Sequence, residues 1–451
     1  MGFPAKWCKW IHGILSSARA TVLVNGSPTF KFQCHKGMRQ GDPISPFLLL
    51  IVKEGFSRLI NMAAGSGLLN GLKLPNNGPV ISHLLYADDC TFVGEWSVEN
   101  LHKVARVLRV FFLCSELKIN LGKSILFGVG VDNLEVKQAA AMFKCKEGSL
   151  PFTYLGLQIG GNMNRVSNWN FLFDIFEKRL TSWKANTLSM GGRVTLMKVV
   201  LESLPTYYFS LFAVPSTVID GIESIIRRFL SSGSIESRKI NWVSWDTVAS
   251  PMKVGGLGIS KLRDSNLALL AKWIWHYRTQ QGALWRKVID SIHGSCIGWR
   301  FFPVNHSLSS VWKTIVSQID KVKVVDKRLN DLIKGVCGKG DLIRFCDSKR
   351  FIGEPSWYSM RMSPNMISEW LRFRDLIYDI RTSEANDRWV WLGDSQNVFS
   401  VKSVKRFIRS GTYYSGRMRP SSTYFVTAHA HHLFGATLEF GVRWVASCSL
   451  Q

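Results

Sequence analysis

Apolar positions along the chain fall into separable periods, and the first is helical. Asp42 suits an N-cap and Pro43 the first helical position. Leu48, Ile51, Val52, Gly55, Phe56 and Leu59 then recur at the three-four spacing of one buried face. Residues 80–93 predict two short strands around a tight turn at Ala87–Asp89. Leu101, Val104, Leu108 and Phe111 trace another amphipathic helix, while Ile119–Gly130 and Phe152–Ile159 have the pattern of strand and hairpin. A β-hairpin flanked by helices that supply its packing face is an α+β arrangement.

Beyond Asn162 the pattern turns helical and Trp-rich. Trp169, Phe173, Phe176, Leu180 and Trp183 step by three and four, as a core stripe does. Lys178, Arg179 and Lys184 fall off that stripe, either on a solvated face or toward a phosphate backbone. Gly255-Gly256-Leu257-Gly258 has no following Lys-Ser/Thr and reads as a turn, not a phosphate-binding loop. From about Thr412 to Gln451 the periodicity is lost.

Composition narrows the class. The chain has 451 residues, 46% of them hydrophobic and 20% charged, which excludes global disorder and gives room for several domains. The longest apolar run, Pro46–Val52, is far short of the ~20 residues of a membrane span. There are 57 Lys+Arg against 32 Asp+Glu, a net charge of +25, with no run of four consecutive basic residues. Basic charge spread along a folded chain points to a polyanionic partner such as nucleic acid, or serves solubility. The nine cysteines are scattered and form no Cys-x-x-Cys, as expected in a reducing, intracellular setting, nuclear or cytoplasmic. His429, His431 and His432 cluster without a paired Cys, a poor metal site.

The sharpest chemical signal is Tyr86-Ala87-Asp88-Asp89, flanked by Leu84, Leu85, Phe92 and Val93. Two adjacent carboxylates at an apolar hairpin tip repel each other, and a divalent cation relieves that repulsion. Phosphoryl transfer uses such a pair to hold Mg²⁺ (or Mn²⁺) ions. The alternative is a polar turn with two exposed aspartates.

Three further stretches accompany it: Arg39-Gln40-Gly41-Asp42-Pro43-Ile44-Ser45-Pro46, Leu117–Ser124, and Tyr154-Leu155-Gly156. In order and spacing, these four motifs resemble the reverse transcriptases of non-LTR (LINE-type) retrotransposons, most closely the plant ones. The likeness continues through Gly191-Gly192-Arg193 and Gly255–Leu270 to Phe399–Ser403, about nine tenths of the chain. It implies an α+β right-hand polymerase palm, partial and without fingers, over 1–163. A helical thumb-like region over 164–235, a Trp-rich connection over 236–300, a C-terminal family region over 301–411 and an unmatched tail over 412–451 follow.

By the same resemblance, Asp88 and Asp89 are metal ligands, and Arg39, Gln40 and Gly41 contact template or nucleotide. Tyr86 packs under the primer terminus, or is a core tyrosine. Lys123 donates a proton to pyrophosphate, or is a surface lysine in a turn. Tyr154, Leu155 and Gly156 form a primer grip. The implied partners are an RNA template, a DNA primer and deoxynucleoside triphosphates, with no membrane. In that family a third catalytic Asp precedes the Gln-Gly loop, whereas residues 1–41 contain no Asp or Glu, so an N-terminally truncated site is expected. Three possibilities stay open: a working polymerase completed by another chain, a remnant that binds primer–template without chemistry, and a decayed element without function.

Overall fold

The computed structural model describes residues 2–34, 41–182, 188–232, 242–294, 302–324, 327–336, 385–414 and 444–449. Arg39, Gln40, Trp183, Lys184 and the His429–His432 cluster lie outside them. The chain forms two compact units. One comprises Met1–Lys73, Val80–Ser149 and Thr437–Gln451; the other comprises Leu74–Pro79 and Leu150–Ala436.

The first unit is mixed helix and strand, as the periodicities predict. Helix α1 (Ala5–Ser16) opens it and buries no residue. Helix α2 (Ser45–Gly65) begins later than expected. The Asp42 carboxylate accepts the Ile44 N–H at 3.1 Å, closing a turn ahead of the helix. Pro46, and not Pro43, therefore occupies the first helical turn, where a missing N–H costs nothing. The buried face of α2 is Leu48, Lys53, Phe56, Ile60 and Ala63, with Ile51, Val52, Gly55 and Leu59 half-buried beside it.

Strands β1 (His83–Tyr86) and β2 (Asp89–Gly94) pair antiparallel, with Tyr86 opposite Asp89. The turn is therefore the two residues Ala87–Asp88, and Asp89 already belongs to a strand. Helix α3 (Val98–Ser115) is capped by the Ser97 side chain and buries Leu101, Val104, Val107 and Phe111. Within Ile119–Gly130 only β3 (Ile125–Gly128) is a strand. It runs parallel to β4 (Lys146–Gly148), and parallel neighbours require a crossover. Helix α4 (Asn133–Met142) provides it, capped by Asp132. Its buried residues, Val136, Ala139 and Ala140, are few and mostly small, so the sequence shows little apolar period there. Gly128 lets α4 approach the sheet, since a Cβ there would collide with the Val136 side chain.

The tail in which periodicity is lost holds a strand, Trp444–Ser449, at the centre of this sheet. It runs antiparallel to β2 on one side and β3 on the other, pairing Ser449 with Asp89 and Trp444 with Gly128. The strand order is β4-β3-(444–449)-β2-β1. Against the sheet, Phe56, Phe92 and Phe111 form the aromatic heart of the core, the Phe56 and Phe111 centroids 4.1 Å apart.

The second unit starts with a hairpin, β5 (Phe152–Tyr154) and β6 (Leu157–Ile159). Leu155 and Gly156 make its loop with φ of 49° and 78°, the left-handed pair of a type I′ turn. Helices α5 (Asn170–Ser182), α6 (Ser216–Ser232), α7 (Leu262–Thr279), α8 (Leu284–His293), α9 (Val311–Asp320) and α10 (Val401–Tyr414) follow, with shorter elements between them. The Trp-rich stripe is core: Trp169, Phe176 and Leu180 are buried and Phe173 half-buried, joined by Trp312 and Trp391. Gly255–Gly258 is a turn, as expected.

Several buried polar groups in this unit are matched. Asn266 donates to the carbonyls of Phe209 and Phe212 and accepts the Val214 N–H. The Glu223 carboxylate accepts the Leu262 N–H at the start of α7. His293 accepts the Asn305 N–H at Nδ1, which leaves the ring proton on Nε2, 3.3 Å from the Ser310 hydroxyl. Burial, with some help from Lys313, lowers its pKa to about 4.

Truncating the chain before Trp444 should speed amide exchange at Cys90–Val93 and Leu126–Phe127, whose inner edges lose their partner. Exchange of the α7 core should be unaffected; hydrogen-exchange mass spectrometry reads both. For His293 the folded state favours the neutral ring, so its contribution is complete above the unfolded pKa near 6.5. Between pH 6.5 and about 4 the unfolded chain takes up a proton that the folded chain refuses. The loss is on the order of 3 kcal/mol. Urea midpoints should fall over that window, and less steeply in His293→Gln.

Candidate active site

The β1–β2 hairpin presents the acidic pair because a two-residue loop leaves no slack. Tyr86 and Asp89 are cross-strand partners, and Ala87 adopts φ 44° between them. Asp88 is exposed at the tip and Asp89 half-buried, while Cys90–Gly94 behind them are all buried. Tyr86 is 60% exposed, which rules out the core-tyrosine alternative.

Helix α2 fastens the hairpin from below. Lys53 and Ser57 are one turn apart and so share a face. The Ser57 hydroxyl lies 2.9 Å from His83 Nε2, and the Ser82 hydroxyl 2.9 Å from Nδ1. Burial lowers the His83 pKa, favouring a neutral ring that links helix to strand. The Lys53 ammonium donates to the Asp89 carbonyl at 3.4 Å, with the side chain only 5% exposed as a residue. Burial lowers its pKa, against the opposing pull of Cys90, Asp88 and Asp89. Sequence reasoning missed Lys53. Its signal was present: Lys53, Phe56, Ile60 and Ala63 follow three-four spacing, so a cation stands at a core position.

Gly41 is exposed in the loop before α2 with φ 88°, so backbone conformation, and not close contact, calls for glycine there. Lys123 is exposed, in a turn where its N–H donates to Asn120. Tyr154, Leu155 and Gly156 lie in the second unit, where the Tyr207 hydroxyl donates to the Leu155 carbonyl at 2.9 Å. Among the described residues no group of three or more His, Cys, Asp or Glu is arranged to hold a metal. No described helix is long and apolar enough to cross a membrane.

Residues 1–159 match the family described as "Reverse transcriptase (RNA-dependent DNA polymerase)", which indicates a polymerase palm-type domain. The chain is 27% identical over 255 residues to a "Putative ribonuclease H protein" of Arabidopsis thaliana, covering 50% of this chain and 40% of that protein. It is 38% identical over 95 residues to an uncharacterized mitochondrial protein of the same plant, covering 21% and 74% respectively. A third relative, the "Transposon TX1 uncharacterized 149 kDa protein" of Xenopus laevis, is 28% identical over 265 residues, 58% of this chain and 19% of that one. The chain belongs to the reverse transcriptases of non-LTR (LINE-type) retrotransposons. It spans about two fifths of the first of these relatives.

The strain at the hairpin tip is testable. A non-glycine residue in the left-handed region costs roughly 1–2 kcal/mol. Ala87→Gly should therefore raise the urea midpoint of the first unit, by up to about 1 kcal/mol of stability, and Ala87→Val should lower it.

Proposed function

We propose that this chain acts on primed RNA as an RNA-directed DNA polymerase, adding deoxynucleotides from their triphosphates to a DNA primer 3′-hydroxyl. The observation that carries the proposal is the two-residue loop that sets Asp88 and Asp89 side by side at the tip of a buried strand. Mg²⁺ is commonly held by one or two carboxylates together with water and substrate phosphates. The pair fits that donor set, so Asp88 and Asp89 would hold Mg²⁺ or Mn²⁺. When bound, the cation supplies Lewis acidity that favours ionisation of the primer hydroxyl and offsets charge on the leaving pyrophosphate.

The remaining roles fall to this chain's side chains. Tyr86, exposed next to the carboxylates, offers a ring for the primer terminus. Gly41, with Arg39 and Gln40 before it, would contact the template base or incoming nucleotide. Exposed Lys123 would protonate the departing pyrophosphate. Tyr154–Gly156 would grip the primer, and the helical region 164–235 would act as the thumb. Exposed Lys178 and Arg179 on α5 suit a phosphate backbone. Asp88 and Asp89 do not, so duplex binding and chemistry are separable.

One observation favours a second reading, a chain that binds primer–template without extending it. The strand paired with Asp89 is Trp-Val-Ala-Ser-Cys-Ser and carries no carboxylate. A pair of cations needs bridging anionic ligands, and this neighbour provides none.

Primer extension on an RNA template, run with Mg²⁺ and with Mn²⁺, decides between them. The polymerase reading expects extension that Asp88→Ala abolishes. The binding-only reading expects no extension but retention of an RNA–DNA heteroduplex. In either case, affinity should fall steeply with salt as released counterions are lost as a driving force. Absence of heteroduplex binding at low salt would overturn both.

A further inference from the structure

Lys53 stands in an unusual place for an ammonium. It belongs to the buried face of α2, in line with Phe56, Ile60 and Ala63, and is 5% exposed. A lysine on such a face ordinarily runs its stem along apolar surface and releases the charge to water. Here the head turns under the hairpin and donates to the backbone carbonyl of Asp89. Its electrostatic partners are Cys90, a thiol in the strand behind the tip, and the Asp88 and Asp89 carboxylates. No acidic side chain of α2 takes that role, since Glu54 pairs with Arg58 in solvent at 3.0 Å. An isolated buried ammonium is costly, and opposite charges within reach offset the cost.

The same charge also acts on whatever approaches the carboxylates. A divalent ion seated on Asp88 and Asp89 would share the carboxylate field with an ammonium that helix packing holds in place. That ammonium repels it and cannot ligate it, having three donors and no acceptor. We propose that Lys53 is a resident counter-cation of the Asp88–Asp89 tip, which competes electrostatically with a divalent ion and sets the site's affinity for it. This rests on the assignment of Asp88 and Asp89 as the cation ligands.

Mn²⁺ binding to the full chain, followed by loss of the free-ion electron paramagnetic resonance signal, tests it without any turnover. Lys53→Met removes the charge at similar length. Lys53→Gln removes it and keeps a donor for the Asp89 carbonyl, guarding against a fold defect in the first variant. Each should bind Mn²⁺ at least tenfold more tightly than the parent chain, and adding Asp88→Asn should cancel the gain. Unchanged or weaker binding in both folded variants, with measurable binding in the parent, overturns the role of Lys53 and leaves the ligand assignment standing. No binding in the parent or in either variant overturns both. A gain that survives Asp88→Asn places the ion elsewhere and overturns the proposal.

Discussion

Strand β2 can carry an unbroken buried run from Cys90 to Gly94 only because both of its edges are hydrogen-bonded. A strand buried on both faces has no water to satisfy an open edge, and each unpaired amide or carbonyl would be costly. β1 closes one side and Trp444–Ser449 the other. The acidic tip inherits its position from this pairing. Once Tyr86 is held opposite Asp89, two residues must turn the chain, and Asp88 has to project from the end. The two carboxylates are thus positioned by the backbone pairing of Asp89 with Tyr86 on one side and Ser449 on the other.

The same arrangement explains why a cation sits under the hairpin. Ser57 reaches His83 in β1 and Lys53 reaches the Asp89 carbonyl in β2, so one face of α2 ties both strands of the hairpin. Phe56, between them in sequence, packs on Phe111 and Phe92 and sets the helix at its height above the sheet. Polar ties and apolar packing therefore constrain the same helix, and moving one would shift the other. The charge of Lys53 is confined because the helix that carries it is.

How much of this was legible in the sequence differs by element. The α+β character, the hairpin, α3 and the aromatic stripe of α5 follow from strong local periods, and Trp169, Phe176 and Leu180 lie in the core as their spacing requires. The start of α2 was misread because Asp42 and Pro43 mimic a cap and a first turn, whereas the Asp42 carboxylate bonds to Ile44 and delays the helix. α4 escaped because Ala139 and Ala140 leave little apolar contrast. Lys53 escaped because a charged side chain is read as a surface position, although its spacing placed it inside. The acidic pair itself was plain, since Tyr-x-Asp-Asp combines a turn with a charge repulsion that structure alone does not reward.

The strand Trp444–Ser449 was illegible for a different reason. Six residues with mixed Trp, Val, Ala, Ser and Cys carry no alternation strong enough to announce a strand, and nothing local to them supplies a partner. Their structure is imposed by the slot between β2 and β3, which are separated from them in sequence by the whole second unit. Pairing at that separation carries a closure cost that local elements avoid, so β1–β2, α2 and α3 can form before the central strand arrives. The neighbour of Asp89 on this side is thus set by which segment fills the slot. In this chain that neighbour is Ser449, and the backbone of the acidic hairpin is secured without a further carboxylate from the strand that secures it.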